Sequence, residues 1–305
     1  MLPAMNAWAY LKIAEGCDNR CAYCVIPSLR GKFRSRAMEN VLSEARSLCE
    51  AGVKEIIVVA QDITRYGIDL YGEPRLASLV RELAKIEGIH WIRLHYLYPD
   101  LITDELIDLV AAEPKVVKYL DIPIQHISDG ILKKMNRRGT GAEIEALLTK
   151  LRQRIPGLVL RTSLITGLPG EGEKEFEELC AFLKRAKLER AGVFAYSPEE
   201  GTPAFTMERP DAETASHRAD LAVDIQSGIM DEFNASRLDT VQEVLTEGFD
   251  RFADCWYGRS YADSPEVDGK VFFTGSGVKP GEFIRVRITD TLEGDLVGVA
   301  EGEEE

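Results

Sequence analysis

Residues 11–36 read LKIAEGCDNRCAYCVIPSLRGKFRSR, and within them Cys17, Cys21 and Cys24 stand at Cys-x3-Cys-x2-Cys spacing. The other cysteines, Cys49, Cys180 and Cys255, are scattered along the rest of the chain. Thiolates hold four-iron clusters, normally four to a cluster. Three in one short loop suit a [4Fe-4S] cluster that keeps one iron open for a ligand, an arrangement for chemistry rather than plain electron storage. A zinc site wants a fourth Cys or His nearby, commonly in paired spacing; His90, His95, His126 and His217 stand singly. A disulfide framework suits short secreted chains, whereas this one has 305 residues and no apolar run behind a basic start. The spacing favours the cluster, with zinc and plain thiols as the alternatives.

Outward from this loop, short apolar runs alternate with longer amphipathic ones as far as residue 237. Strands are expected at Tyr10–Ala14, Glu55–Ala60, Trp91–Tyr96, Tyr119–Ile124, Val159–Ile165 and Gly192–Tyr196, each followed by a helical pattern. Six such repeats argue for parallel strands joined by crossover helices. Periodicity alone leaves a doubly wound sheet and a barrel both open. Val41, Leu42, Ala45, Leu48 and Cys49 recur on one helical face with Gly52 at the cap position, and Phe176, Leu179, Cys180 and Leu183 repeat the pattern. Cys49 and Cys180 are therefore expected in the core. Thr103 and Ser128 are expected as helix N-caps, and the RRGTG turn separates two helical segments around Asn136 and Gly141.

Beyond a helical run at 211–237 come five short strand-like stretches, Gln242–Leu245, Trp256–Tyr261, Lys270–Thr274, Phe283–Asp290 and Asp295–Ala300, parted by Gly, Pro and Asp turns. They suggest a small antiparallel barrel of the oligonucleotide-binding type. The domains are read as 1–237 and 238–305. Hydrophobic residues make up 45% of the chain, ordinary for a globular protein, and no stretch approaches the roughly 18 apolar residues of a membrane helix. A soluble, cytoplasmic protein is expected. The net charge of −14 is uneven: from Leu238 onward 16 Asp/Glu face 6 Lys/Arg. Phosphate binding needs Lys and Arg, so the tail's composition counts against RNA as its partner.

The cysteine spacing, with Tyr23 just before the last cysteine, resembles the radical S-adenosylmethionine (SAM) superfamily. Pro27, Arg30, Gly31, Ser35 and Arg36 extend the resemblance to its methylthiotransferase branch. This implies an α/β fold, a partial TIM-type (β/α)6 barrel followed by a small antiparallel TRAM β-barrel. It also implies that Cys17, Cys21 and Cys24 hold the cluster, whose open iron chelates SAM. A flavodoxin- or ferredoxin-type donor reduces the cluster, SAM is cleaved, and the resulting radical takes hydrogen from a carbon that then receives a methylthio group. In a parallel barrel the site lies at the C-terminal strand ends. There the resemblance makes Tyr23, Gln61, Arg161, Gly167 and Tyr196 the expected SAM neighbours, Gly167 belonging to the TGLPGE turn. His95 and His126 also stand at strand ends, with a structural role as the alternative. Arg30, Arg34 and Arg36 read either as carboxylate partners or as a solvated basic stretch.

Two substrates are implied for the branch: an adenosine in tRNA, and an aspartate of protein twelve of the small ribosomal subunit. GRSYADSPEVDG at 258–269 and YGIDLYG at 66–72 resemble the ribosomal-protein enzymes, which are favoured; the tRNA enzyme is the runner-up. A non-catalytic iron–sulfur binding module is the reading from another class. The acidic second domain is expected to meet a basic ribosomal protein, with Asp263, Glu266 and Asp268 facing it. Full-length members of the branch begin with a further three-cysteine domain. The chain is therefore expected to be a truncated form that cleaves SAM without completing sulfur insertion.

Overall fold

Six parallel strands run in chain order across one sheet in the computed structural model, which describes residues 7–302. They are Trp8–Lys12, Glu55–Val59, Trp91–Leu94, Val116–Asp121, Val159–Thr166 and Arg190–Ala195. A doubly wound sheet reverses its strand order at a switch point. Here the order never reverses, and among the described residues the first and sixth strands do not pair, so the sheet is an open, TIM-like barrel.

Helices cover the outside because the central strands are apolar on both faces. Ile56, Val58, Ile92, Leu94, Leu120 and Leu160 share one core with Leu79, Leu83, Leu151, Leu179 and Phe182 of the helices. Cys49 and Cys180 pack against that core. Thr103 caps its helix by accepting the Leu106 N–H at 3.2 Å, whereas Ser128 holds the N-cap position without a side-chain bond to the helix. Two strands stop earlier than their apolar runs suggest. The fourth ends at Asp121, ahead of Pro123, which has no N–H for a ladder. The third ends at Leu94, because Tyr96 turns to a φ of +63°.

The helix Ala212–Ala235 leads to a closed barrel of Val241–Asp250, Cys255–Arg259, Val271–Thr274, Phe283–Leu292 and Asp295–Ala300. Val244, Val271, Phe273, Val286, Ile288 and Leu296 fill it. Its pairings are antiparallel save one, Val271–Thr274 beside Asp295–Ala300. A ring with an odd number of strands cannot alternate direction all the way round.

The small barrel packs where the six strands begin. Trp91, Val117, Tyr119 and Val159 share an apolar cluster with Leu245 and Ala262. Fully buried Glu55 accepts from Arg93 at 2.7 Å and from Arg259 of the small barrel at 2.6 Å. This junction corrects the expectation for the acidic segment. Asp263 is 2% exposed and pairs with Arg190 at 2.8 Å. Asp268 accepts from the Tyr119 hydroxyl at 2.6 Å and lies 3.7 Å from Arg161. Both carboxylates neutralise cations inside the molecule, so neither is free for a partner; Glu266 alone of the three is exposed.

Candidate cofactor site

The cysteine loop is held from several sides by backbone bonds. A two-residue ribbon, Ala14–Glu15 against Arg34–Ser35, closes its base. The Cys17 N–H donates to Gly31 O at 3.1 Å, the Ala22 N–H to Met135 O at 2.9 Å, and the Ala204 N–H to Ala22 O at 2.9 Å. Asp18 accepts the Phe33 N–H at 3.1 Å. Gly16, just before Cys17, has φ +80°, and a Cβ there would stand 2.2 Å from Lys32 O. Only glycine fits the turn that presents the first cysteine.

Cys17 and Cys21 are buried, Cys24 is half-buried, and all three are free thiols. Burial pushes the Cys17 and Cys24 thiols up, so metal binding must expel their protons. Among the described residues no three His, Cys, Asp or Glu form a group that could hold one metal ion. A four-iron cluster asks for something different, since each thiolate takes its own iron.

Beside the loop lies Arg137, which the sequence offered only as part of the RRGTG turn. It is 9% exposed, and its guanidinium lies over the Tyr98 ring, 4.4 Å from the centroid. Nη2 donates to Pro123 O at 2.6 Å, and Nη1 reaches the Tyr23 hydroxyl at 3.3 Å and the Cys21 Sγ at 3.9 Å.

A cavity of about 290 Å³ is lined by Tyr23, Gln125, Ser163, Ile165, Phe194, Ala195, Tyr196 and Ser197. That is the lower end of the roughly 300–1,000 Å³ of small-molecule sites. Tyr23 and Tyr196 both line it, and burial pushes the Tyr23 phenol up, keeping it protonated. The Tyr196 hydroxyl and Gln61 Oε1 are buried without partners, a state native proteins seldom leave unsatisfied. Tyr96 and Gln125 hold φ of +63° and +71°, a conformation that bulky residues adopt at a cost and that clusters at functional sites.

Arg161 and Gly167 are placed otherwise than expected. The Arg161 guanidinium pairs with Asp121 at 2.9 Å and faces Asp268. Four residues before Ile165, it sits about 13 Å deeper along the strand. Ser163 and Ile165, on the same face and nearer the strand end, line the cavity instead; alternation counted from the C-terminal end would have found them. Gly167 has φ +74°, and a Cβ there would meet the Ala215 Cβ at 2.3 Å. Its glycine serves the seating of the helix Ala212–Ala235.

The histidines are structural. His126 Nδ1 accepts the Ser128 N–H at 3.0 Å, and its Nε2 lies 3.3 Å from Glu171 Oε2 with no hydrogen bond between the two. Glu171 is held by Arg218 at 2.9 Å, so the TGLPGE turn is braced to the helix Ala212–Ala235. His95 Nε2 lies 2.9 Å from Ser264 Oγ of the small barrel. Burial, with Arg93 and Arg161 close by, holds its pKa down at about 3. Of the three arginines after the loop, Arg36 pairs with Glu44 at 2.6 Å, Arg30 stands 4.0 Å from Glu15, and Arg34 bonds to backbone carbonyls.

The profile of the Radical SAM superfamily matches residues 11–183, and that of the TRAM domain residues 240–300. The chain is 50% identical over 295 residues to the ribosomal protein uS12 methylthiotransferase RimO of Clostridium perfringens (strain SM101 / Type A), covering 96% of this chain and 66% of that protein. To the protein of the same name from Pelotomaculum thermopropionicum it is 53% identical over 293 residues, covering 95% and 66%. The chain therefore spans 66% of the length of these relatives. Among solved structures it is similar to TsrM of Kitasatospora setae, a radical SAM methyltransferase with cobalamin and a [4Fe-4S] cluster bound. The TM-score is 0.55 at 19% identity, over 65% of this chain and 38% of that one, a likeness of fold.

Proposed function

The chain belongs to the radical SAM superfamily, and from that premise we propose that it is a methylthiotransferase acting on an aspartate of ribosomal protein uS12. The observation that carries the reading is the backbone-tied loop of Cys17, Cys21 and Cys24 beside the Tyr23–Tyr196 cavity. Identity of about one half to the uS12 enzymes, running through both units, supports the substrate.

In this reading Cys17, Cys21 and Cys24 hold a [4Fe-4S] cluster, and the donor set fits: three free thiols in one loop with a buried guanidinium beside them. Tyr23 and Tyr196 hold SAM, the two rings walling the cavity against water while the unpartnered Tyr196 hydroxyl takes up a polar atom of the ligand; Gln61, outside that lining but with its Oε1 buried and unpartnered, is the third residue we assign to SAM. When bound and reduced by a flavodoxin- or ferredoxin-type donor, the cluster supplies the electron that cleaves SAM and so activates the substrate carbon. The protein's part is orientation and exclusion of solvent. Arg161 and Gly167 have no place in this set.

The domain boundary falls at 237/238, between the helix end at Ala235 and the strand start at Val241. The second domain, with 16 acidic residues against 6 basic, presents exposed Asp254, Glu266, Asp290, Glu293 and Glu301 to a basic partner. Among the described residues no helix is long and apolar enough to cross a membrane, and the cytoplasm is the compartment we assign.

The test is anaerobic reconstitution followed by SAM cleavage and mass spectrometry of uS12. 5′-Deoxyadenosine formation is expected, and any methylthio mass increase should fall on one uS12 aspartate. The Cys21→Ala protein should lose the iron that Cys49→Ala and Cys180→Ala keep. Modification of tRNA in place of uS12, or full iron in Cys21→Ala, would refute the reading.

A further inference from the structure

Among the described residues six arginines are buried: Arg93, Arg137, Arg190, Arg218, Arg237 and Arg259. Five of them have a carboxylate within ion-pair distance. Arg93 and Arg259 share Glu55, Arg190 and Arg237 share Asp263, and Arg218 meets Glu171. Arg137 makes no ion pair. Its guanidinium is spent on Pro123 O, the Tyr23 hydroxyl, the Tyr98 ring and the Cys21 sulfur. A buried cation without a counter-charge is costly, and proteins otherwise pair it. The remaining neighbour able to carry full negative charge is Cys21, as a thiolate.

We propose that Arg137 is the internal counter-cation of the iron–sulfur cluster, with its Nη1–H directed at the Cys21 sulfur, and that it raises the cluster's reduction potential. The inference rests on Cys17, Cys21 and Cys24 being the ligands. Reduction adds one electron, and so one negative charge, to a cluster and thiolate set that is already anionic. A fixed guanidinium in a site of low dielectric stabilises the more negative form more strongly. Hydrogen bonds to the sulfurs and local charge are the levers by which a protein sets such potentials. The fork geometry serves this end. Nη2 is anchored on Pro123 O and the plane rests on Tyr98, so Nη1 is fixed toward the loop and cannot swing to water. Arg137 is thus a positioning residue: it acts on the cluster through Cys21 and touches no substrate.

The test compares reconstituted wild type with Arg137→Gln, Arg137→Lys and Arg138→Gln. Each is assayed for iron and sulfide and titrated with dithionite under electron paramagnetic resonance. Arg138 is the control, since its guanidinium is half-exposed and pairs with Asp100 at 2.9 Å. With iron content unchanged, Arg137→Gln should disfavour the reduced cluster at least tenfold, a negative shift of about 59 mV for one electron. Arg137→Lys should recover part of that shift, and Arg138→Gln should match wild type. A fully loaded Arg137→Gln protein with the wild-type midpoint would overturn the proposal.

A measurement on the wild type does not depend on any variant folding. In protein labelled with nitrogen-15 only in the arginine guanidinium, the reduced cluster's spin should show a nitrogen-15 coupling, and its absence would equally overturn the proposal. Iron retained in Cys21→Ala would instead remove the ligand assignment on which it rests.

Discussion

His95 offers a quantitative check on how the two barrels are joined. It is buried against Tyr119 and bonded to Ser264 of the small barrel. Burial and the charges of Arg93 and Arg161 hold its pKa at about 3, against about 6.5 in an unfolded chain. Between these values the unfolded state binds a proton that the folded state refuses, so stability falls as pH falls through about 6.5. From about pH 7.5 to about pH 5.5 the unfolded histidine gains close to one unit of protonation free energy, about 1.4 kcal/mol. The folded value lies so far below this window that its exact depth hardly matters. Urea unfolding of wild type and His95→Gln at the two pH values gives the measurement. Glutamine keeps a polar partner for Ser264, and the carboxylates titrate alike in both proteins. Wild type should therefore lose about 1.4 kcal/mol more than the variant. Equal losses would mean that His95 titrates normally and that the junction admits water.

Gly167→Ala should destabilise the protein by about 2–5 kcal/mol, from the left-handed backbone and the clash with Ala215 together; Ala215→Gly in the same chain should recover the clash part. A loss below about 1 kcal/mol, with SAM affinity changed instead, would return Gly167 to the ligand set. Glu266→Lys should slow association of the full chain with uS12 and flatten its salt dependence, because exposed charge acts mainly on encounter rate. Unchanged rates in stopped-flow measurements, or tight tRNA binding by the unaltered chain, would refute a basic protein partner for this surface.

The scaffold was legible because its signals are local. Strand-then-helix periodicity repeated six times, and cysteine spacing marked the loop. The misplacements arose where the deciding contact lies far away in sequence. Gly167 reads as a ligand-cradling glycine until Ala215 is seen against it. Arg161 reads as a strand-end cation, yet it sits deep enough to meet Asp121 and Asp268. Arg137 lies in a run of like charges that resembles a solvated turn, and only the absence of a carboxylate around a buried guanidinium sets it apart. No pattern along the chain reports that absence.

The same reasoning explains why the acidic segment turned inward. A closed eight-stranded barrel fills its interior with layers of side chains from its own strands. With six strands and an open seam, this one leaves the lower interior to be filled from elsewhere. Arg93, Tyr119, Arg161 and Arg190 project from four of its strands; Arg93 and Arg161 have Glu55 and Asp121 of the large barrel beside them, whereas an apolar filler would leave Arg190 without a carboxylate. The GRSYADSPEVDG segment supplies what they need: Asp263 for Arg190, Asp268 for Tyr119 and Arg161, and the Tyr261 carbonyl for Arg93 at 2.8 Å. At the tip of this plug Glu266 remains exposed, close enough to Tyr10 that, after burial, its charge is the next cause raising that phenol. The small barrel is thus the missing floor of the large one, and its loop brings one free carboxylate to the open seam.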